Sequence, residues 1–347
     1  MNSKVIHKKI KGNNRETVLK EVEQAMRLSD WKKHVKGKSV FIKTNLLLKK
    51  VVPGLCTSPW VIEGIIKVLK KDKRKIYIGD CNVATTKQVE EAAKNWGIID
   101  LCKKYNAQFI NLSKQPTKKI EINGNIFKYL EVPEILTKVD SIISAPVLKT
   151  HVIPKMTCAL KNQWGCIPTF RQQLHTVVHE AIPEINKGLK VNFAVVDATI
   201  CLEGNGPVNG IPKIVNSIFA SNDLVAIDAM AADFIGIGYK NISYIKNSEK
   251  LGVGSTKYKV IGDKIIETKF LQPNIKTSPI VNIEMKLRKI PILNYLIFKT
   301  PLFKIPAFMA SRYNTIYWYH TQGKSAINKV LKNKLYREEF MPLIKNA

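Results

Sequence analysis

The chain has 347 residues, 45% hydrophobic and 24% charged, with 18 Gly and 16 Pro; this excludes collagen-like, low-complexity and broadly disordered proteins and leaves a globular enzyme or binding protein of about two domains. Lys plus Arg number 56 against 27 Asp plus Glu, a formal net charge of +29, which attracts phosphates, anionic lipid or nucleic acid without choosing among them. The six cysteines, Cys56, Cys81, Cys102, Cys158, Cys166 and Cys201, include no C-x-x-C pair, which excludes a zinc ribbon and a ferredoxin-type cluster run and fits reduced thiols. The opening MNSKVIHKKIKGNNRE lacks a signal peptide's apolar core, and no apolar run is long enough to span a bilayer. The expected location is the cytoplasm, with membrane contact at the inner face.

Residues 1–37 read as a polar N-terminal segment, and over 38–270 short β-rich runs alternate with helical patterns, as an α/β domain requires. SVFIKTN (39–45) is the first expected strand. Pro59 opens an apolar-periodic helix, WVIEGIIKVLKK, that leads into a second strand, KIYIG (75–79), ending at Asp80. A helix over 86–104, a strand over 107–111, a polar hairpin at Asn123-Gly124 and strands over 139–145 and 191–196 follow, with further helices over 171–182 and 223–235. The fold class is α/β: a parallel or mixed sheet flanked by helices, with a basic, apolar C-terminal extension over 271–347.

That extension holds thirteen Lys or Arg and three Glu. Between 283 and 310, Ile283, Leu287, Ile290, Leu293 and Phe308 alternate with Lys286, Arg288, Lys289, Lys299 and Lys304, while Pro291, Pro301 and Pro306 cut the stretch into pieces too short to cross a bilayer. Two readings stay open. The segment lies on an anionic membrane surface, or it packs its apolar face on the main domain and shows its lysines to water.

In open α/β sheets ligands bind beyond the carboxyl ends of strands, so the residues following each expected strand carry the functional signal. Lys43, Thr44 and Asn45 follow the first strand, Asp80 the second, Lys149, Thr150 and His151 the strand over 139–145, and Asp197 the strand over 191–196. Each alone is equally a cap or a solvated side chain; their common placement points to one cleft. APVLKTHVIPKMTCALKNQWGCIPTFRQQLHTVVHE (145–180) is densest in reactive groups, among them Lys155, Lys161, Asn162 and Arg171. His175 and His179 are four apart, a metal-ligand spacing on one helix face, although Thr176 stands where a zinc protease has Glu. Gly204, Gly206 and Gly210 in CLEGNGPVNGIP suit an anion nest or a tight active-site turn. Asp223 reads as a helix cap, with Asp228 one turn on.

FIKTN (41–45), YIGD (77–80), APVLKTH (145–151), ALKNQWG (159–165), VVDATICLEGNGPVNG (195–210), SNDLVAIDA (221–229) and GVG (252–254) together resemble the bacterial and archaeal family called domain of unknown function 362, over roughly residues 38–262. Some relatives carry iron-sulfur modules; the cysteine run they need is absent here, so no such cluster is expected. A more distant similarity is to the N-terminal domain of nickel-dependent lactate racemase, whose metal nucleotide is tethered to a lysine and ligated by histidines. His151, Lys161 and His175 stand in a similar order, but Met156-Thr157-Cys158-Ala159-Leu160 replaces the racemase's glycine-rich run. The resemblance implies a metal or metal-nucleotide cofactor.

Two functions follow as expectations. The first is an enzyme of redox or isomerase type that holds an anionic small molecule or cofactor. Its catalytic residues are His151 as general acid/base, Lys161 as electrostatic stabiliser or covalent anchor, and Lys149. Lys43, Asn45, Asp80, Asn162, Asp197, Gly204 and Gly206 bind the ligand, and His175 and His179 bind any metal. The second is a non-catalytic protein that binds nucleic acid or an anionic membrane. Against nucleic acid, the lysines are spread through the chain rather than interleaved with aromatics in one stripe.

Overall fold

The computed structural model describes residues 2–83, 89–168, 171–298, 300, 302 and 304–347. Strand β1 (Ser3–Lys9) and helix α1 (Arg15–Leu28) open it, so the N-terminal segment supplies a strand and a helix to the main sheet. Strands and helices then alternate: β2 (Ser39–Lys43), α2 (Pro59–Lys71), β3 (Lys75–Asp80), the helix pair α3 (Val89–Asn95) and α4 (Ile98–Lys104), and β4 (Gln108–Asn111). Pro59 occupies the first turn of α2, where its missing N–H has no helical partner to lose, and the Ser58 hydroxyl accepts from the Val61 N–H. The one helix expected over 86–104 is two, because Gly97 takes a left-handed φ of 70° between them. Residues 86–88 of that expectation lie outside the described ones.

The hairpin expected at Asn123-Gly124 joins β5 (Thr117–Glu121) to β6 (Tyr129–Pro133). Then come α5 (Ile135–Lys138), β7 (Ser141–Ser144), β8 (Val147–His151), β9 (Lys155–Thr157) and α6 (Ala159–Asn162). The domain closes with α7 (Val178–Leu189), β10 (Phe193–Asn205), β11 (Asn209–Ser221), α8 (Leu224–Phe234), α9 (Ser243–Lys250) and β12 (Tyr258–Gly262). The extension carries α10 (Pro279–Arg288), α11 (Pro291–Leu293), α12 (Lys304–Arg312), α13 (Lys324–Leu331) and α14 (Lys334–Asn346). No helix among the described residues is long and apolar enough to cross a membrane.

Ten strands form one mixed sheet in the order β12-β1-β11-β10-β7-β2-β3-β4, with β8 paired to β10 and β9 to β8. β2 leads through α2 to β3 on one side, whereas its parallel neighbour β7 leads to β8 and β10 on the other. The chain thus leaves the carboxyl ends of β2 and β7 in opposite directions, and a crevice opens between them. Strand alternation sorts the core into two layers: Val40 and Ile42 face the layer of α1 to α4, and Phe41 faces that of α6 to α9.

Two expected strand ends are corrected. Lys149, Thr150 and His151 belong to β8 itself, Lys149 opposite Thr157 and His151 opposite Lys155 on β9. Asp197 lies within β10, which continues to Asn205 because the hairpin to β11 extends its pairing.

The end of the extension is part of the core. Ile327, Val330, Leu335, Tyr336 and Phe340 are buried with α1 and α2. This seats Glu339 at the start of α2, where the Ser58 hydroxyl donates to its carboxyl and the Trp60 N–H donates at 3.3 Å. Burial pushes the Glu339 carboxyl up to about 8, with Ser58 opposing the rise and Asp197 adding to it. A carboxyl that keeps its proton in the fold, but loses it near its ordinary value when unfolded, makes stability fall as pH rises between the two. Glu339→Gln retains an acceptor without the charge, so its melting temperature should exceed that of the wild type by a margin that grows from about pH 5 to about pH 9. Melts across that range check this; a constant or shrinking margin contradicts it.

Candidate functional site

Side chains alternate along β8, so Lys149 and His151 share one face while Thr150 points the other way, its hydroxyl donating to Gly204 O at 2.7 Å. Lys43 and Asp80 come from the carboxyl ends of β2 and β3, and α6 supplies Lys161 and Asn162. With Asn45, Trp164, Arg171 and His175 they surround a cavity of about 290 Å³, near the lower end for small-molecule sites. Asn162 ties the elements together, its amide donating to the Lys43 carbonyl at 3.0 Å and to Ser144 Oγ at 3.1 Å.

The charges in this cavity do not balance. Lys43 and Asp80 form a buried pair at 2.8 Å, and Asp80 also accepts from the Leu46 and Cys81 N–H groups at 2.8 and 2.7 Å. Gly165 makes room for the pair, since a Cβ there would fall 2.7 Å from both Asp80 Oδ1 and Lys43 Nζ. The other carboxylate in the wall, Glu284, is held by Arg288 at 2.8 Å. Lys149 donates to Asn45 Oδ1 and the Leu55 carbonyl at 2.7 and 2.8 Å, and Arg171 to the Ile167 and Asn82 carbonyls at 3.0 and 2.6 Å. Lys161 Nζ lies 4.3 Å from the Trp164 ring centroid. Among the described residues, Lys149, Lys161 and Arg171 form no ion pair with a carboxylate.

Burial, reinforced by Arg171, Lys149 and Lys43, pulls the Lys161 ammonium well below its ordinary value. Burial likewise pulls Lys149 down to about 8, with Cys56 and Asp80 opposing and Lys43 adding. Cations held this close without counter-charge are stabilised by an incoming anion.

His151, expected as general acid/base, lines the cavity with its ring held by a backbone donor. The Ile153 N–H donates to its Nδ1 at 3.1 Å, so the neutral ring carries its proton on Nε2. Burial, then Lys161, His175 and Lys149, hold it well below its ordinary value. In that tautomer the Nε2–H is the ring group that can donate into the cavity.

The two histidines expected to bind a metal stand in different settings. Residues 171–177 make a 3₁₀ turn and α7 begins only at Val178, so His175 and His179 share no helix face. His175 stacks on Trp164 in the cavity wall, centroids 5.5 Å apart; His179 stacks on Tyr244 at 6.4 Å, outside the cavity. Among the described residues, no group of three or more His, Cys, Asp or Glu side chains is placed to hold a metal ion.

Asp197, Gly204 and Gly206 also fall away from the cavity. Asp197 is buried in the core, accepting from Ser58 N–H at 2.7 Å and from Thr199 N–H and Oγ1 at 2.9 and 2.7 Å. Burial pushes it up to about 6. The glycines form no anion nest because their N–H groups are spent on backbone carbonyls: Gly204 donates to Leu271 O at 2.8 Å and Gly206 to Gly204 O at 2.9 Å.

One residue gains a role that its position does not announce. Asp228, fully buried on α8, accepts from the Ala159 and Leu160 N–H groups at 2.7 and 3.2 Å and so caps the single turn that presents Lys161. Asn186 holds the same turn from α7, donating to Leu160 O at 3.0 Å.

A family model described as a domain of unknown function (DUF362) matches residues 40–233. The chain belongs to this family. The match takes in the cavity residues from Lys43 to His175 together with Asp228, and leaves out Val281 and Glu284, which close the cavity from α10. The thylakoid-associated protein sll1697 of Synechocystis is 24% identical over 229 residues, covering 63% of this chain and 70% of that one. The lactate racemase apoprotein from Thermoanaerobacterium thermosaccharolyticum has 13% identity over 68% of this chain and 57% of its own length, with a TM-score of 0.41. A protein from Thermotoga maritima solved by structural genomics has 14% identity over 70% of this chain and 60% of its own, with a TM-score of 0.37. This chain therefore matches less than two thirds of either solved structure.

Proposed function

We propose that this DUF362 protein is an enzyme that binds a small anion in the cavity beside Lys149, Lys161 and Arg171, and that it performs proton-transfer chemistry of the isomerase type. The reading is carried by three cations that meet one small cavity without a carboxylate partner. Such an arrangement disfavours the empty site and favours a ligand with phosphate, sulfate or carboxylate oxygens. Lys161, held well below its ordinary value in the empty cavity and protonated beside a bound anion, suits a group that exchanges a proton with a carbon beside a carbonyl or carboxylate, and the Nε2–H of His151 suits a donor to the oxygen on which charge then develops. Redox chemistry finds no added support in these side chains. Among the described residues, no further His, Cys, Asp or Glu joins His151 and His175 to complete a metal site.

We place the work of the protein at the cytoplasmic face of a membrane; the thylakoid association in the name of the Synechocystis relative supports a membrane location. A nucleic-acid partner fits less well, because the clustered cations are buried where a polymer backbone does not reach. Calorimetric titration of the full chain with inorganic phosphate, pyrophosphate and sulfate tests the reading. Saturable binding that weakens in Lys149→Met is expected, and absence of both heat and thermal shift with all three anions rejects it.

A further inference from the structure

The extension divides into two unlike halves. α13 and α14 are built into the core, whereas many of the large apolar side chains described between Ile283 and Tyr317 face outward. Of the fourteen large apolar or tyrosine side chains exposed among the described residues, eleven lie in this stretch. Ile283, Ile292, Tyr295, Ile305, Phe308 and Met309 are 59–72% exposed. An apolar face of this kind marks an interaction site. The charges around it have one sign: Lys286, Lys289 and Arg312 are exposed, and the only acidic residue between 271 and 320, Glu284, is held by Arg288. Lys299 and Phe303 lie outside the described residues, and Arg288, expected at the surface, is buried by its pairing.

Apolar side chains set among unopposed cations complement an anionic bilayer, into which such side chains insert shallowly while lysines meet the headgroups. α10 and α12 suit lying in the interface, since no helix among the described residues is long and apolar enough to cross. The same α10 walls the cavity through Val281 and Glu284. The cavity itself is two-natured, cationic at Lys149, Lys161 and Arg171 and apolar at Leu46, Ile153 and Val281.

We propose that residues 283–317 dock on an anionic bilayer and that the cavity takes an amphiphile from it, a molecule with an anionic head and a hydrocarbon tail. The inference rests on the anion-binding reading above and adds to it the tail and the membrane. The head meets Lys149, Lys161 and Arg171, and the tail lies along Leu46, Ile153 and Val281, on the side of α10. Lipid headgroups and free phosphate share the head chemistry, so the test separates them.

The full-length protein is sedimented with phosphatidylcholine vesicles with and without about 30% phosphatidylserine, and titrated with inorganic phosphate and with octyl phosphate below its micellar range. Binding to the anionic vesicles is expected, at least about tenfold weaker on neutral ones and in the double variant Ile292→Glu, Phe308→Glu, which alters exposed side chains only. Octyl phosphate should bind at least about tenfold tighter than phosphate, since its tail is removed from water, and Lys161→Met should weaken both. Phosphate binding with no gain from the octyl chain overturns the amphiphile and leaves the anion cavity standing. Binding of neither ligand overturns the cavity reading and this inference with it. A protein that ignores anionic vesicles, or whose vesicle binding survives the double variant, overturns the docking face.

Discussion

Lys161→Met is expected to weaken phosphate binding by about 100-fold while leaving the melting temperature unchanged or raised, the binding loss being that of one buried charge-assisted hydrogen bond. The two effects separate because the lysine is a liability to the empty fold. Its amine is buried beside Lys149, Lys43 and Arg171 with no carboxylate among the described residues paired to it, so a charge there is costly, and an aliphatic side chain of similar length removes that cost. Only with an anion present does the charge become favourable. Calorimetric titration and thermal melts of the same variant check both halves. A loss of stability equal to the loss of binding would make Lys161 a packing residue.

Asp228→Ala should act in the opposite sense, on structure first and on binding through it. The substitution strands the Ala159 and Leu160 N–H groups in a buried site and removes the acceptor near the Tyr244 hydroxyl. Each stranded donor costs about 1–3 kcal/mol, so the melting temperature should fall by roughly 5–10 °C. Burial pushes the Asp228 carboxyl up to about 7, its partners Cys158, Ala159 and Leu160 opposing. Asp228→Asn, which keeps one acceptor, should recover part of the stability. Phosphate affinity should fall with the alanine variant and return in part with asparagine, because the turn that carries Lys161 loosens and tightens with the cap. A full loss of affinity in both variants, at wild-type melting temperature, would mean that Asp228 meets the ligand itself.

The parts of this molecule that depend on neighbours in sequence were legible in it. The apolar alternation of Val40, Phe41 and Ile42 places a strand that ends on Lys43, and the Ser58-Pro59 start signal and apolar period of α2 place the helix behind it. Lys43, Asn45 and Asp80 reach the cavity because strand ends at a switch in sheet order converge, and Lys149 and His151 on β8 and Lys161 and Asn162 on α6 meet them there. What depends on distant partners was not legible. Nothing local distinguishes Asp197, spent on Ser58 139 residues away, from a cleft carboxylate. Asp228 reaches Ala159 across 69 residues, and the α10 wall arrives from outside the family domain. The His175–His179 spacing misled because four residues make a helix face only where a helix has already begun, and α7 begins at Val178.

The central claim is that the cavity holds uncompensated cations awaiting an anion, and its most direct test is the proton count on binding. Sulfate keeps its charge near neutrality, so any proton exchanged comes from the protein. Lys161, pulled well below its ordinary value when the cavity is empty, should recover its proton beside a bound anion. Calorimetric titration of sulfate at about pH 7.5 in buffers of differing ionisation enthalpy should therefore show net proton uptake, reduced in Lys161→Met. Sulfate binding with no proton uptake, or with release, would contradict the account.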